Sequence, residues 1–166
     1  MLLARAIHFD ESDRNVFHNP ARTGEWAISG GFEFSNWDEA DLVGKARQAF
    51  ANGWLGLETF GRVTFVAVTR IESAELTTLQ DALAAHFVEV YGAPSHEAAL
   101  PVAIEELAQM RDLCAEHAPN TVLTVLRSLT EAGVREQYRI IQPDDARLDQ
   151  FAVHGSIEPI DPADPA

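Results

Sequence analysis

The chain has 166 residues, of which 46% are hydrophobic and 23% charged. This is typical of one globular domain, because a core of about 150 residues can bury roughly 70% of the surface of the unfolded chain. The formal net charge of −14 repels phosphate backbones and anionic headgroups, so neither nucleic acid nor a membrane is an expected partner.

The compartment is indicated by what the sequence does not contain. No apolar run reaches the roughly 20 residues of a membrane span, and the first residues lack the longer apolar stretch of a signal peptide. Cys114 is the single cysteine, which excludes an internal disulfide and a multi-cysteine metal site. We therefore expect a cytoplasmic protein.

The N-terminal half predicts strands on either side of one helix. Leu3, Ile7 and Phe9 alternate with their neighbours, as a half-buried strand requires. Gly30-Gly31 interrupts the second apolar run and indicates a bulge or bend. The predicted elements are strands over residues 2–9, 26–34, 54–59 and 62–71, with a helix between Asn36 and Gly53.

The C-terminal half predicts two helices and a hairpin. Apolar residues spaced three and four apart indicate a long helix from Ser73 to Tyr91. A further helix has Pro101 in its first turn and ends before Pro119. Strands over residues 121–130 and 134–142 follow, joined by a three-residue connection that ends in glycine.

The order β-β-α-β-β-α-α-β-β predicts an α+β fold with a mainly antiparallel sheet and helices on one face. It contains the ferredoxin-like element β-α-β-β-α-β, to which an N-terminal strand and a C-terminal hairpin are added. We expect a single domain over residues 1–155. Residues 156–166 form an acidic, proline-rich tail, because proline and aspartate resist both strand pairing and burial.

Imidazoles and carboxylates gather near the N-terminus, where a strand end and its loop could turn several of them toward one divalent cation. The weak metal candidates are His8, Asp10, Asp13 and His18. Their spacing lacks the fixed acidic positions and the turn glycine of an EF-hand loop. We therefore expect a solvated acidic loop, with no metal and no cofactor.

The other reactive side chains fit structural roles. Cys114 and His117 share a helix face, but Cys114 continues an apolar stripe, where cysteine acts as a small hydrophobe. His86 lies beside another such stripe. The sequence contains no phosphate-binding loop, no dinucleotide fingerprint and no G-x-S-x-G elbow. No catalytic residue is assigned, and an enzyme is not the favoured interpretation.

Aromatic residues concentrate in the first half of the chain, where they either fill the core or line an apolar pocket. They are Trp26, Phe32, Phe34, Trp37, Phe50, Trp54 and Phe60. A pocket would combine this cluster with nearby imidazoles. The candidate binding residues are His8, His18, Trp54, Phe60 and His96.

The run from Trp26 to Phe34, followed by the segment from Gly44 to Leu57, resembles a family of small, uncharacterised proteobacterial proteins of unknown function. The resemblance covers most of residues 1–142. It implies no activity and no functional residue.

Two functions follow as hypotheses. The leading one is a non-enzymatic accessory protein that docks on another cytoplasmic protein and forms a homodimer over an open sheet edge. The alternative is a small-molecule-binding or catalytic α+β domain with an aromatic-lined pocket. A cavity with convergent polar groups would favour the alternative.

Overall fold

The structure, a computed structural model, describes residues 1–141. Its strands are β1 (Leu2–Ile7), β2 (Trp26–Ile28), β3 (Trp54–Gly56), β4 (Arg62–Val63), β5 (Phe65–Arg70), β6 (Val122–Thr130) and β7 (Gly133–Ile141). Its α-helices are α1 (Asp13–Val16), α2 (Gly44–Asn52), α3 (Ser73–Tyr91) and α4 (His96–Ala115). The predicted tail over residues 156–166, and the domain boundary before it, lie outside the described residues.

The structure confirms the two long helices and the hairpin that the sequence predicts, although the second helix starts earlier. Helix α3 has the predicted bounds and ends at Gly92, whose φ of 75° suits a glycine. Helix α4 begins earlier than predicted, because the Ser95 side chain accepts a hydrogen bond from the Ala98 N–H and caps it at residue 96. Pro101 therefore lies inside this helix rather than in its first turn.

The predicted strand over residues 26–34 is wrong beyond Ile28. Gly30 adopts φ 70°, and a 3-10 helix over Gly31–Phe34 follows it. The predicted helix between Asn36 and Gly53 is likewise broken into a 3-10 turn, Glu39–Asp41, and α2. Gly44, with φ 56°, turns the chain between these two pieces.

The seven strands form one sheet in the order β4-β3-β2-β1-β5-β6-β7, and every named pair is antiparallel. Trp54 on β3 stacks on Tyr138 on β7, with 5.9 Å between ring centroids. In the strand order, β3 and β7 are five strand spacings apart. In a flat sheet, this would put them about 24 Å apart. The sheet must therefore curl, so that its two ends approach each other.

This strand order confirms an antiparallel sheet with helices, but it does not confirm the ferredoxin-like arrangement. In a ferredoxin-like element, each helical crossover joins two parallel strands that have a third strand between them. Here α3 and α4 are joined by a short connection and pack on each other, so the chain returns and β6 pairs antiparallel with β5. The segment that contains α2 returns in the same way, because β3 pairs antiparallel with β2.

The core lies between the sheet and the helices. Helix α4 packs against β1 and β2, and α2 packs against β6. The buried residues Ala4, Ala6 and Ala27 have short side chains that leave room for a closely packed helix. Within residues 1–141, no helix is both long enough and apolar enough to cross a bilayer.

Cys114 is fully buried on the inner face of α4, and this burial raises the pKa of its thiol to about 12. We expect native protein at neutral pH to react only slowly with a thiol reagent, and denatured protein to react stoichiometrically, because the thiolate is the reactive form. With a disulfide reagent that releases a coloured thiol, the absorbance of that thiol measures the rate at which Cys114 reacts. Immediate stoichiometric labelling of native protein would contradict this packing.

Candidate functional site

The five residues that the sequence selects for binding lie in four parts of the structure. His18 and Phe60 line the same cavity. His8 follows β1 and lines a different cleft. Trp54 is fully buried, and His96 opens α4. Only one pair of the set is therefore brought together.

Trp54 and His96 have local roles. Trp54 fills the curl of the sheet, and its indole N–H has no acceptor within residues 1–141. His96 lies 3.6 Å from the Asp81 carboxylate at an exposed surface. Exposed pairs of this kind contribute little to stability.

The four metal candidates near the N-terminus do not come together as one ligand set. His8 Nε2 lies 3.2 Å from Asp13 Oδ2, whereas Asp10 accepts a hydrogen bond from the Ser12 N–H, which lowers the pKa of its carboxyl. His18 lies at the separate cavity that it shares with Phe60. Over residues 1–141, no three His, Cys, Asp or Glu side chains are placed to hold a metal ion.

Two buried arginines lie near the closure of the curled sheet, and Arg127 bridges its two ends. Arg127 from β6 donates to Glu136 Oε2 at 2.7 Å, to Gly53 O at 2.8 Å and to Phe50 O at 3.0 Å. Arg62 from β4 donates to the Glu33 carboxylate and to Gly53 O. These bonds satisfy charged groups that would otherwise be costly to bury, so we assign both arginines a structural role.

The two guanidiniums share one neighbourhood. Both lie over the ring of Phe34, at 4.7 Å for Arg62 and 5.2 Å for Arg127. Burial lowers the pKa of Arg62 to about 10, although the Glu33 carboxylate opposes this shift. The arginine remains charged at neutral pH and lines the adjoining cavity as part of its ion pair with Glu33.

That adjoining space, the aromatic cavity, has a volume of about 180 Å³. Its lining includes three aromatic residues, Phe17, Trp37 and Phe60. They come from the segment after α1, from the turn before α2 and from the β3–β4 connection. Aromatic side chains from three separate segments therefore meet at one cavity, a composition suited to a flat apolar group.

Polar groups converge on the same cavity. The Glu33–Arg62 ion pair lines it, together with His18 and Lys45. No hydrogen bond or ion pair engages the His18 or Lys45 side chain within residues 1–141. Lys45 is also the only lysine in the chain. An exposed ammonium and an imidazole are therefore available to an occupant.

Phe60 is held in an unusual backbone conformation. Its φ of 56° lies in the left-handed region, which is strained for a bulky residue. The neighbouring chain fixes it: Arg62 N–H donates to Asn19 O at 2.8 Å, and the Asn19 side chain donates to Thr59 O at 3.2 Å. The ring of Phe60 stacks in parallel on His86, with 3.7 Å between centroids.

His86 supports the cavity wall from behind. Burial lowers the pKa of its imidazole, while the Glu33 carboxylate opposes the shift. The neutral ring therefore predominates at neutral pH. It serves as a flat packing partner for Phe60, which agrees with the structural role expected from the sequence.

Sequence reasoning missed Lys45, Glu33 and Arg62 as members of this cavity. Its position as the only lysine was the one local signal that could have drawn attention to Lys45. Glu33 fell within a strand that does not form. The convergence depends on the β3–β4 turn and on the short 3-10 helix, neither of which periodicity predicts.

Comparison with known proteins identifies one family. A model of a family of unknown function, DUF6505, matches residues 1–159 of the chain. No curated protein and no solved structure shows a match. The match includes residues 1–142, most of which the sequence resemblance covered, and extends to residue 159. The chain therefore belongs to the DUF6505 family, whose function is unknown.

Proposed function

We propose that the protein binds a small ligand that has one flat ring and an anionic group, and that it does so in the aromatic cavity. The observation that supports this is the meeting of three aromatic walls with Lys45, a cation that no side chain within residues 1–141 neutralises. This arrangement favours the pocket-bearing alternative over a purely surface-docking protein.

The volume limits the ligand. A protein cavity of about 150 Å³ holds one benzene molecule, and drug-sized ligands need about 300 Å³ or more. The aromatic cavity, at about 180 Å³, therefore admits one six-membered ring with its substituent near the opening. Offset or edge contacts with Phe60 and Trp37 would hold the ring.

The charges determine the substituent. Glu33 already pairs with Arg62, so these two groups offset each other. Lys45 then contributes the unbalanced charge, and His18 adds a hydrogen-bonding nitrogen. A carboxylate complements both groups. The local cation is needed because the overall charge of −14 repels anions at longer range.

The single lysine makes the test specific. Reductive methylation with ¹³C-formaldehyde labels Lys45 and the N-terminal amine, which NMR distinguishes. We expect benzoate to shift the Lys45 methyl signal saturably, and benzylammonium, with the same ring and the opposite charge, to leave it unchanged. Lys45→Met is expected to weaken benzoate binding, measured by calorimetry, about tenfold, or about 1.4 kcal/mol.

The matched control is Arg47→Met, which removes an exposed cation from the same helix without altering the cavity lining. It is expected to bind benzoate as the wild type does. Trp37→Ala is expected to abolish binding, because it removes one wall. Equal benzoate affinity in wild type and Lys45→Met, or no saturable shift with any monocyclic carboxylate, would overturn the proposal.

The surface-related expectations continue as proposals. We expect a homodimer, since β7 is nine residues long and is an edge of the sheet over residues 1–141. Light scattering should give twice the monomer mass, and a monomer at every concentration would contradict this expectation.

Three further expectations remain predictions of the sequence. They are docking on a basic partner, a cytoplasmic location and a proteobacterial origin.

A further inference from the structure

A second group of side chains connects a surface hydroxyl to a buried carboxylate. His8 Nδ1 lies 2.7 Å from Thr23 Oγ1, and His8 Nε2 lies 3.2 Å from Asp13 Oδ2. Thr23 is exposed, whereas Asp13 is 4% exposed. The three residues come from the ends of β1 and β2 and from α1, and the β1–β2 pairing brings them together.

The partners of Asp13 favour one tautomer of His8. Asp13 accepts the Thr64 hydroxyl at 2.7 Å and the Thr64 N–H at 3.3 Å, so its carboxylate acts as an acceptor. The tautomer of neutral His8 that carries its proton on Nε2 points that proton toward Asp13 Oδ2, 3.2 Å away. This leaves a lone pair on Nδ1, and the Thr23 hydroxyl donates to that lone pair.

We propose that Thr23, His8 and Asp13 form a catalytic site that hydrolyses activated esters with a small apolar acyl group. A hydroxyl, an imidazole and a carboxylate follow one another as in the serine hydrolases. Here, however, Nδ1 faces the hydroxyl and Nε2 faces the carboxylate, the reverse of the arrangement in those enzymes. Such constellations are defined by geometry and role rather than by sequence motif. Thr23 is the nucleophile, His8 the base, and Asp13 a positioning residue.

The surroundings leave room for a substrate at the hydroxyl. Thr23 lines two clefts, one of about 380 Å³ beside His8 and one of about 680 Å³ between β2 and α3. The larger cleft is lined by Trp26, Leu57 and Leu79, which suit an apolar acyl chain. At the adjacent Gly24, an added Cβ would meet no atom within 4 Å, so the approach is open.

Arg22 lines both clefts. Its guanidinium lies at an exposed position beside Glu58, with an N–O distance of 3.0 Å. Rotation toward Thr23 would place its N–H donors against the oxyanion that develops on a substrate carbonyl. The smaller cleft is therefore lined by a hydroxyl, an imidazole and a guanidinium.

The chemistry balances without any redox partner. Thr23 Oγ attacks the carbonyl carbon, a new C–O bond forms, and the hydroxyl proton moves to His8 Nδ1. The ester C–O bond breaks, and the leaving alcohol takes that proton. Water then attacks the threonyl ester and gives one proton to His8, which returns it to Thr23 Oγ as the carboxylic acid departs.

The test uses p-nitrophenyl butyrate with the full chain. We expect release of p-nitrophenolate and a butyryl adduct mapped to Thr23 by mass spectrometry after rapid acid quench. Thr23→Val keeps the shape but removes the nucleophile, and it should lower kcat/KM about 100-fold or more. Thr23→Ser should retain turnover. His8→Gln should lower kcat/KM by a similar factor.

His96→Ala is the matched control, because His96 also lies beside an aspartate but has no hydroxyl partner within residues 1–141. It should leave turnover unchanged. Asp13→Asn should lower kcat with little change in KM, as expected of a positioning residue. Equal kcat/KM for Thr23→Val and wild type, or a butyryl group found on Lys45 or the N-terminus instead of Thr23, would overturn the proposal.

Discussion

Replacement of Arg127 by methionine is expected to destabilise the protein by about 3–5 kcal/mol, the usual cost of breaking a buried ion pair from one side. The Arg127 side chain is fully buried and joins β6 to Glu136 and to the carbonyls of Phe50 and Gly53. Methionine fills much of the space but donates no hydrogen bond. Buried carbonyls are left unsatisfied, and the two ends of the curled sheet lose one of the contacts that join them.

Urea unfolding followed by tryptophan fluorescence measures the loss. Arg47→Met is the control, because Arg47 is exposed on α2, and it should change the free energy of unfolding by less than about 0.5 kcal/mol. Equal stabilities of the two variants would mean that the Arg127 cluster does not hold the sheet closed.

The stability that Arg127 contributes depends on pH, because its partner Glu136 can be protonated. Burial alone would raise the pKa of its carboxyl, but the Arg127 guanidinium and hydrogen bonds from Ser29 and Tyr138 hold that pKa below its usual value. A lowered folded-state pKa stabilises the protein fully above the unfolded-state value of about 4.5. This contribution is lost as the pH falls through the folded-state pKa. Below about pH 4.5, the free energy of unfolding of Arg127→Met should therefore fall less steeply with decreasing pH than that of the wild type.

Replacement of Gly30 by alanine is expected to have the second large effect. Gly30 has φ 70°, and an added Cβ would lie 2.4 Å from Leu55 Cβ and 2.9 Å from Arg62 Nη1. The left-handed backbone costs about 1–2 kcal/mol for a residue other than glycine. Overpacking adds about 1–3 kcal/mol. The substitution therefore strains the backbone and also pushes on the buried Arg62 cluster.

Gly92→Ala separates the two costs. Gly92 has φ 75°, nearly the same as Gly30, but its added Cβ would meet no atom within 4 Å. We expect Gly92→Ala to lose only the backbone contribution and Gly30→Ala to lose about 1–3 kcal/mol more. Both values come from urea unfolding. Equal losses would show that the close approach to Leu55 and Arg62 relaxes at no cost.

Local patterns predicted the parts of the fold that depend on local interactions. The periodic stripe of α3 and the Gly92 stop predicted that helix with its observed bounds. The glycine-ended connection predicted the β6–β7 hairpin. Errors occurred where single backbone conformations decided the outcome, at Gly30 and Gly44. A positive φ is compatible with glycine anywhere, so its presence does not reveal where the chain turns.

The candidate sites were predicted less well than the elements. His8 and Asp13 were recognised as a local group, but Thr23 and Thr64 come from other segments of the chain. His18 and Phe60 were selected, yet the cavity that joins them also needs Trp37 and Lys45. Each site is a meeting of loops, and loops carry no periodic signal that indicates which neighbours they will have.

The sequence by itself determined an α+β composition, the long helices, the terminal hairpin and a buried cysteine, because periodicity and turn residues act over a few neighbours. The tertiary structure alone decided the strand order, the curl that brings β7 to β3, and the burial of Arg62 and Arg127. These features depend on contacts between residues far apart in the chain. Their partners are chosen by packing and by the need to satisfy buried charge, which no local pattern records.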